Sequence, residues 1–249
     1  MKLKERVFFP DVASPAITYA VEALKNLGCT IADSPSPRVT HLLLPVPCRL
    51  STSALNEILT ALPEDITVFG GFLDRPELIG YSCRDLLTDP LYLAQTAMIT
   101  AHCAQQLGAA QLPIVWDGCP VLILGWGRIG KCLARLLQAS GAQVTVTARR
   151  IADRAMCAAL GYGTRDFTDS DSDLQRYRIL YNTVPSPVLS RRQAEQCRPD
   201  CVMIELASRP GIDAPGVIDG RGLPGVMAPE SSGSLIANTI FRICAEKEM

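Results

Sequence analysis

Three short stretches carry residue types that could do chemistry. The first is Gly125-Trp126-Gly127-Arg128-Ile129-Gly130. It follows the apolar run Val121-Leu-Ile-Leu124 and opens a segment with Ile129, Leu133, Leu136 and Leu137 at helical spacing. Strand, Gly-x-Gly-x-x-Gly, helix is the context in which three glycines serve a dinucleotide. One glycine permits a tight turn, the next lets backbone approach a pyrophosphate, and the third lets the helix pack on the strand. Free N–H groups at the helix N-terminus, with its partial positive charge, attract phosphate. A glycine-rich turn that binds nothing is the alternative reading.

The second stretch closes the next predicted strand, Gln143–Thr147, as Thr147-Ala148-Arg149-Arg150, with no carboxylate until Asp153. An NAD site places Asp or Glu there for the ribose 2′-OH, whereas guanidinium groups clamp a 2′-phosphate. The pair predicts NADP as the cofactor, with Arg149 and Arg150 at the 2′-phosphate; for Arg150 a solvated charge is the competing reading. The third stretch is two loops, Asn182-Thr183-Val184-Pro185 and Ala207-Ser208-Arg209, each following an apolar run. Ligands of open α/β sheets gather beyond the carboxyl ends of strands. Thr183 and Ser208 offer hydroxyls there and Arg209 a carboxylate clamp, though Thr183 suits a local turn bond equally well. His102, within Thr100-Ala-His102-Cys103-Ala104, is a candidate general acid or base because imidazole titrates near neutrality. A structural histidine is the other reading, and Cys103 beside it fits small-residue packing. The candidate catalytic set is thus His102, Thr183 and Arg209, with no metal ligands.

Elements must hold these residues. In the first half, Val7-Phe8-Phe9, Cys29-Thr30-Ile31, His41-Leu-Leu-Leu44 and Ile66-Thr-Val-Phe69 read as strands. Ile17, Ala20, Val21, Leu24 and Leu27 recur at helical spacing, and residues 53–62 fit another helix. Strands alternating with helices indicate parallel sheets. The fold class is therefore α/β, with two Rossmann-like parallel-sheet domains, the second binding the dinucleotide. The boundaries read as a small domain at 1–90, an inter-domain helix at 91–112, the dinucleotide-binding domain at 113–230 and a C-terminal helix at 231–249. Ser231-Ser-Gly-Ser234 reads as that helix's cap, ahead of the apolar Leu235, Ile236, Ile240 and Ile243.

Composition bounds the rest. Of 249 residues, 48% are apolar, and 24 Lys+Arg against 25 Asp+Glu leave a net charge of −1, which excludes bulk disorder and a broad basic face for nucleic acid. No run approaches the ~18 apolar residues that span a bilayer. The opening Met1-Lys-Leu-Lys-Glu-Arg has charges and no apolar stretch, so the reading is cytoplasmic. Ten cysteines without a Cys-x-x-Cys, and only two histidines, fit reduced, mostly buried side chains better than zinc or disulfides.

Beyond these motifs the chain resembles the dipicolinate synthase A-type family. Leu44-Pro-Val-Pro47, Phe69-Gly-Gly71, the 125–130 loop, Ala148-Arg-Arg150, Asn182-Thr-Val-Pro185, Glu205-Leu-Ala-Ser-Arg-Pro-Gly211, Gly222-Leu-Pro-Gly225 and Ala228-Pro229 carry the likeness. The resemblance implies an architecture related to the D-2-hydroxyacid dehydrogenases. It also implies an NADP-linked oxidoreductase that makes dipicolinate from a dihydrodipicolinate-type precursor in spore formation, together with a flavoprotein-like B subunit. A homo-oligomer is a further expectation. The chain departs from the family at His102-Cys103, where the family carries Glu-Gly. At Val226 and Glu230 it departs again, where the family carries lysines. Those changes disfavour a dianionic substrate. They leave open a non-catalytic NADP-binding partner or sensor subunit, or a dehydrogenase or reductase acting on a different small acid or imine.

Overall fold

The computed structural model describes residues 6–12, 14–169 and 171–246; residues 1–5 of the charged opening and 247–249 of the predicted last helix lie outside them. The chain forms two compact units, the first comprising Met1–Thr96 with Pro224–Met249 and the second Ala97–Leu223.

In the first unit, β1 (Val7–Pro10), β2 (Thr30–Ile31), β3 (His41–Leu43), β4 (Thr67–Gly70) and β5 (Ser82–Asp85) pair in parallel in the order β2-β1-β3-β4-β5. Parallel strands need both faces covered, so their apolar residues run consecutively. Leu42, Leu44 and Val68 join Leu55 and Leu59 of α2 (Thr52–Thr60) in one core. His41 is buried and stacks on Phe8 at 4.7 Å and lies 5.9 Å from Phe69. Helix α1 (Pro15–Asn26) buries Ile17, Ala20, Val21 and Leu24, the stripe its sequence spacing indicates. Residues Ser-Cys-Arg-Asp of β5 show no apolar pattern; the strand exists because β4 offers it a paired edge.

Helix α3 (Pro90–Gln111) starts in the first unit and continues into the second. The second unit then runs through β6 (Pro120–Leu124), α4 (Arg128–Ala139), β7 (Gln143–Thr147), α5 (Ile151–Ala159) and β8 (Gly163–Arg165). It continues with β9 (Ile179–Asn182), α6 (Arg191–Ala194), β10 (Val202–Glu205) and β11 (Ile218–Asp219). Its six-stranded sheet is parallel in the order β11-β10-β9-β6-β7-β8. The winding reverses between β6 and β9, and in dinucleotide-binding sheets the crevice lies at that reversal. Tyr181 of β9 is fully buried, and its hydroxyl donates to the Ala104 carbonyl of α3 at 3.1 Å.

After α7 (Leu223–Met227) the chain ends in α8 (Pro229–Glu246), which belongs to the first unit and packs along α1. The expectation that Ser231–Ser234 caps this helix is corrected. Pro229 starts it, so those serines lie in its first turns, and Ser232 Oγ donates to the Pro224 carbonyl at 2.9 Å. Proline suits a first helical position, where its missing N–H costs nothing.

Candidate functional site

Gly125 follows β6 directly at φ +107°, a conformation that side chains strain to adopt, and a Cβ there would strike Thr183 Oγ1 and Val184 Cγ2 at 2.6 Å. The loop is pinned from both sides: Gly125 N–H donates to Thr147 O, and Thr183 N–H and Oγ1 both donate to Leu124 O, each at 2.9 Å. A Cβ at Gly130 would overlap the Gly125 carbonyl oxygen, so α4 can approach the strand only as glycine allows. Gly127 caps α4 without any side-chain hydrogen bond, and a Cβ there would meet open space. The N-terminal N–H groups of α4 are thereby left for a ligand. That cradle fits a pyrophosphate.

A cavity of about 280 Å³ opens beside it, lined by Gly125, Trp126, Gly127, Ala148, Arg149, Arg150, Asp153, Phe167, Thr183, Val184 and Pro185. Ala148 is buried, Arg149 and Arg150 are exposed, and Asp153 is half-buried. Arg154 holds the turn that presents the two arginines: its Nη1 donates to Ala148 O at 2.7 Å and Arg149 O at 2.9 Å and pairs with Asp166 at 2.5 Å. Hydrogen bonds from Thr168 and the charge of Arg154 keep Asp166 ionised below the ordinary carboxylate range. Trp126 meets Tyr162 edge-on at 5.7 Å, with the Lys131 ammonium 5.7 Å from its ring centre. A larger cavity of about 710 Å³ shares Arg149, Phe167 and Val184 and continues along Pro187, Val188, Leu189 and Ile212.

The two loops beyond β9 and β10 are tied by one buried pair. Glu205, 3% exposed, accepts from Asn182 Nδ2 at 2.8 Å, Ala207 N at 3.1 Å, Gly211 N at 2.7 Å and Ile212 N at 3.3 Å. Asn182, wholly buried, also donates to Val184 O and accepts from Val184 N. A buried carboxylate survives only with such partners.

Of the residues singled out from sequence, Gly125, Trp126, Gly127, Ala148, Arg149, Arg150, Thr183, Val184 and Pro185 come together at the smaller cavity. Gly130 and Asn182 lie beneath it as packing and loop-shaping residues, and the Thr183 hydroxyl is engaged in the turn bond. Arg128, Ser208 and Arg209 are exposed, Ile129 is half-buried and Ala207 is buried; none of these lines either cavity. His102 is exposed on α3, whereas Ala101, Cys103 and Ala104 are buried. Sequence reasoning missed Arg154, Phe167 and Glu205. The acid closing the apolar run Val202-Met-Ile-Glu205 was the available signal for the last. Among the described residues there is no group of three or more His, Cys, Asp or Glu arranged to hold a metal, and no helix is long and apolar enough to cross a membrane.

A parallel sheet wound in this order, with such a loop at the end of its first strand, defines a nicotinamide-dinucleotide-binding domain, and residues 113–212 match the family described as Putative NAD(P)-binding. The relatives are more particular. The chain is similar to the A subunit of dipicolinate synthase from Bacillus subtilis, 33% identical over 140 residues that make up 52% of this chain and 46% of that protein. The match therefore spans less than half the relative's length. In fold the chain resembles the corresponding dipicolinate synthase protein from Bacillus halodurans, with a TM-score of 0.81 at 20% identity, covering 98% of this chain and 99% of the other. It also resembles a transhydrogenase from Sinorhizobium meliloti, with a TM-score of 0.76 at 13% identity, over 97% and 94% of the two chains.

Proposed function

We propose that this chain is an NADP(H)-dependent oxidoreductase of the dipicolinate synthase A type. In this reading it works with a partnering B subunit to oxidise a dihydrodipicolinate-type precursor to dipicolinate. The observation that carries the cofactor part is the Arg149-Arg150 pair on the wall of the cavity beside the Gly125–Gly130 loop. The cofactor, when bound, supplies the hydride chemistry; the residues of the chain bind and orient it. The α4 N-terminus and Gly127 receive the pyrophosphate, and Arg149 and Arg150 pair with the 2′-phosphate. Thr183 lines the same cavity, and the Asn182–Glu205 pair holds the loop that carries it. Arg209 remains the candidate carboxylate clamp and His102 the candidate acid or base.

Trp126 lines the cavity, so its fluorescence reports occupancy. Titration with NADPH and NADH should saturate with NADPH tighter. Replacing both Arg149 and Arg150 by Ala should weaken NADPH by roughly ten- to hundredfold, the worth of charge-assisted hydrogen bonds, and NADH far less. Equal weakening would refute the phosphate role. One observation favours a second reading, a cofactor-binding partner or sensor without turnover: Val226 is 82% exposed and Glu230 also faces solvent, where the family carries lysines. Turnover with dihydrodipicolinate, measured with and without a B subunit, separates the two. Saturable binding without turnover under both conditions selects the sensor.

A further inference from the structure

Among the ten cysteines, Cys197 and Cys201 line one cavity together. Cys197 follows α6 and Cys201 precedes β10, joined by the turn Arg198-Pro-Asp200, which Cys201 N–H closes on Arg198 O at 3.0 Å. Cys197 belongs to a buried cluster against which Cys201 packs, and each thiol influences the titration of the other. Each has one weak acceptor: Cys197 Sγ points to Gln193 O at 3.9 Å and Cys201 Sγ to Val202 O at 3.8 Å. A cavity of about 260 Å³ is lined by both, together with Met203, Pro199 and Pro215. Cys201 is half-buried, and Cys197 stands behind it with 9% of its surface exposed.

We propose that Cys197 and Cys201 form a dithiol modification site, which a low-molecular-weight disulfide oxidises to an intramolecular Cys197–Cys201 bond. The Cys197 thiolate attacks one sulfur of R–S–S–R, forming a mixed disulfide and releasing R–S⁻, which takes up a proton. The Cys201 thiol loses its proton and attacks Cys197 Sγ, expelling the second R–S⁻. Two protein thiols are oxidised, one small disulfide is reduced to two thiols, and no other reactant is needed. The order follows from the surroundings. Cys201 and the nearby Arg165 guanidinium hold the Cys197 thiol below its ordinary value against the opposing effect of burial. Burial raises the thiols of Cys29, Cys103, Cys119 and Cys157 instead.

The test uses the full folded chain with glutathione disulfide, read by intact mass and peptide mapping. The expected product has lost two hydrogens, carries no adduct, and maps to the 197–201 peptide; dithiothreitol reverses it. Cys201→Ser should stop at one glutathione on Cys197, and Cys197→Ser should form no internal bond. Thermal melts establish that each variant is folded, and where one is not, the wild-type product alone decides. A stable glutathione adduct on the wild type, a bond mapping to any other pair of cysteines, or unreactive thiols in the folded chain would each overturn the proposal. Cofactor binding does not enter this readout, so the site stands or falls apart from the oxidoreductase reading.

Discussion

Asp153 is the residue that opposes the NADP preference proposed for this cavity. It shares the cavity wall with Arg149 and Arg150, and a carboxylate there repels a 2′-phosphate while accepting from a 2′-hydroxyl. Being half-buried and screened, it is worth no more than an exposed charge pair, about 0.2–1 kcal/mol. Asp153→Asn is therefore expected to tighten NADPH by about two- to fivefold and to leave NADH unchanged or weaker. Paired titrations check this, and tightening of both cofactors alike would exclude a 2′-phosphate at this wall. Glu205 acts at the same scale through the protein alone. In Glu205→Gln an amide N–H₂ replaces one acceptor oxygen and faces N–H donors, so about 2–4 kcal/mol of stability should be lost. Urea unfolding measures it, and a loss under ~0.5 kcal/mol, the range of an ordinary surface substitution, would mean the loops do not depend on this carboxylate. The glycine loop was legible in sequence because its demands are local: a turn, a close approach and a helix start, all between Gly125 and Gly130. Arg154 and Glu205 were not, because their partners, backbone groups together with Asp166 and Asn182, are brought by the fold.

Elements hold these residues through their ends as much as their faces. Asp89 caps α3 by accepting from Tyr92 N at 2.7 Å, and Arg242 of α8 reaches its other oxygen at 2.6 Å. Burial alone would raise the Asp89 carboxyl, but the Tyr92 N–H and the Arg242 charge outweigh it and hold the group below its ordinary 3.8. A lowered folded value means stabilisation that is complete above pH 3.8 and is lost as pH falls through the folded value. Glu77, held at about 2 by Arg75, acts in the same sense. Unfolding midpoints should accordingly be flat from about pH 7 toward 5 and fall steeply below about 4, within the range the two groups' ordinary values of 3.8 and 4.5 define. Asp89→Ala should lower stability at neutral pH by about 1 kcal/mol, the worth of a cap, and flatten part of the acid limb. An unchanged acid limb would remove Asp89 from the account. Strands with continuous apolar runs, such as Val121–Leu124, could be read from sequence. The edge strands β5, β8 and β11 could not, since pairing rather than side-chain pattern makes them.

At the scale of the whole molecule the chain leaves the first unit within α3 and returns to it at Pro224, so the last helix completes a unit begun at the other end of the chain. Nothing near α8 in sequence reveals that partner, which is why the sequence set it apart as a terminal helix. Its buried face carries Leu235, Ile236, Ala237, Ile240 and Cys244, and it packs against α1, with Gly233 lying close to Ala16, Tyr19 and Ala20. Each large aliphatic side chain contributes about 1.5–3 kcal/mol on burial, so Leu235, Ile236 and Ile240 together approach the roughly 5–15 kcal/mol that holds a typical domain folded. Ending the chain after Ala228 should therefore abolish cooperative unfolding of the first unit. The second unit keeps its whole sheet and the Gly125–Gly130 loop, so NADPH titration through Trp126 should survive with an affinity within about threefold of the full chain. Circular dichroism on heating and fluorescence titration read the two units separately. A truncated chain that melts as cooperatively as the full one would show that α8 is an appendage. Loss of NADPH binding would show that the dinucleotide domain does not stand without the first unit.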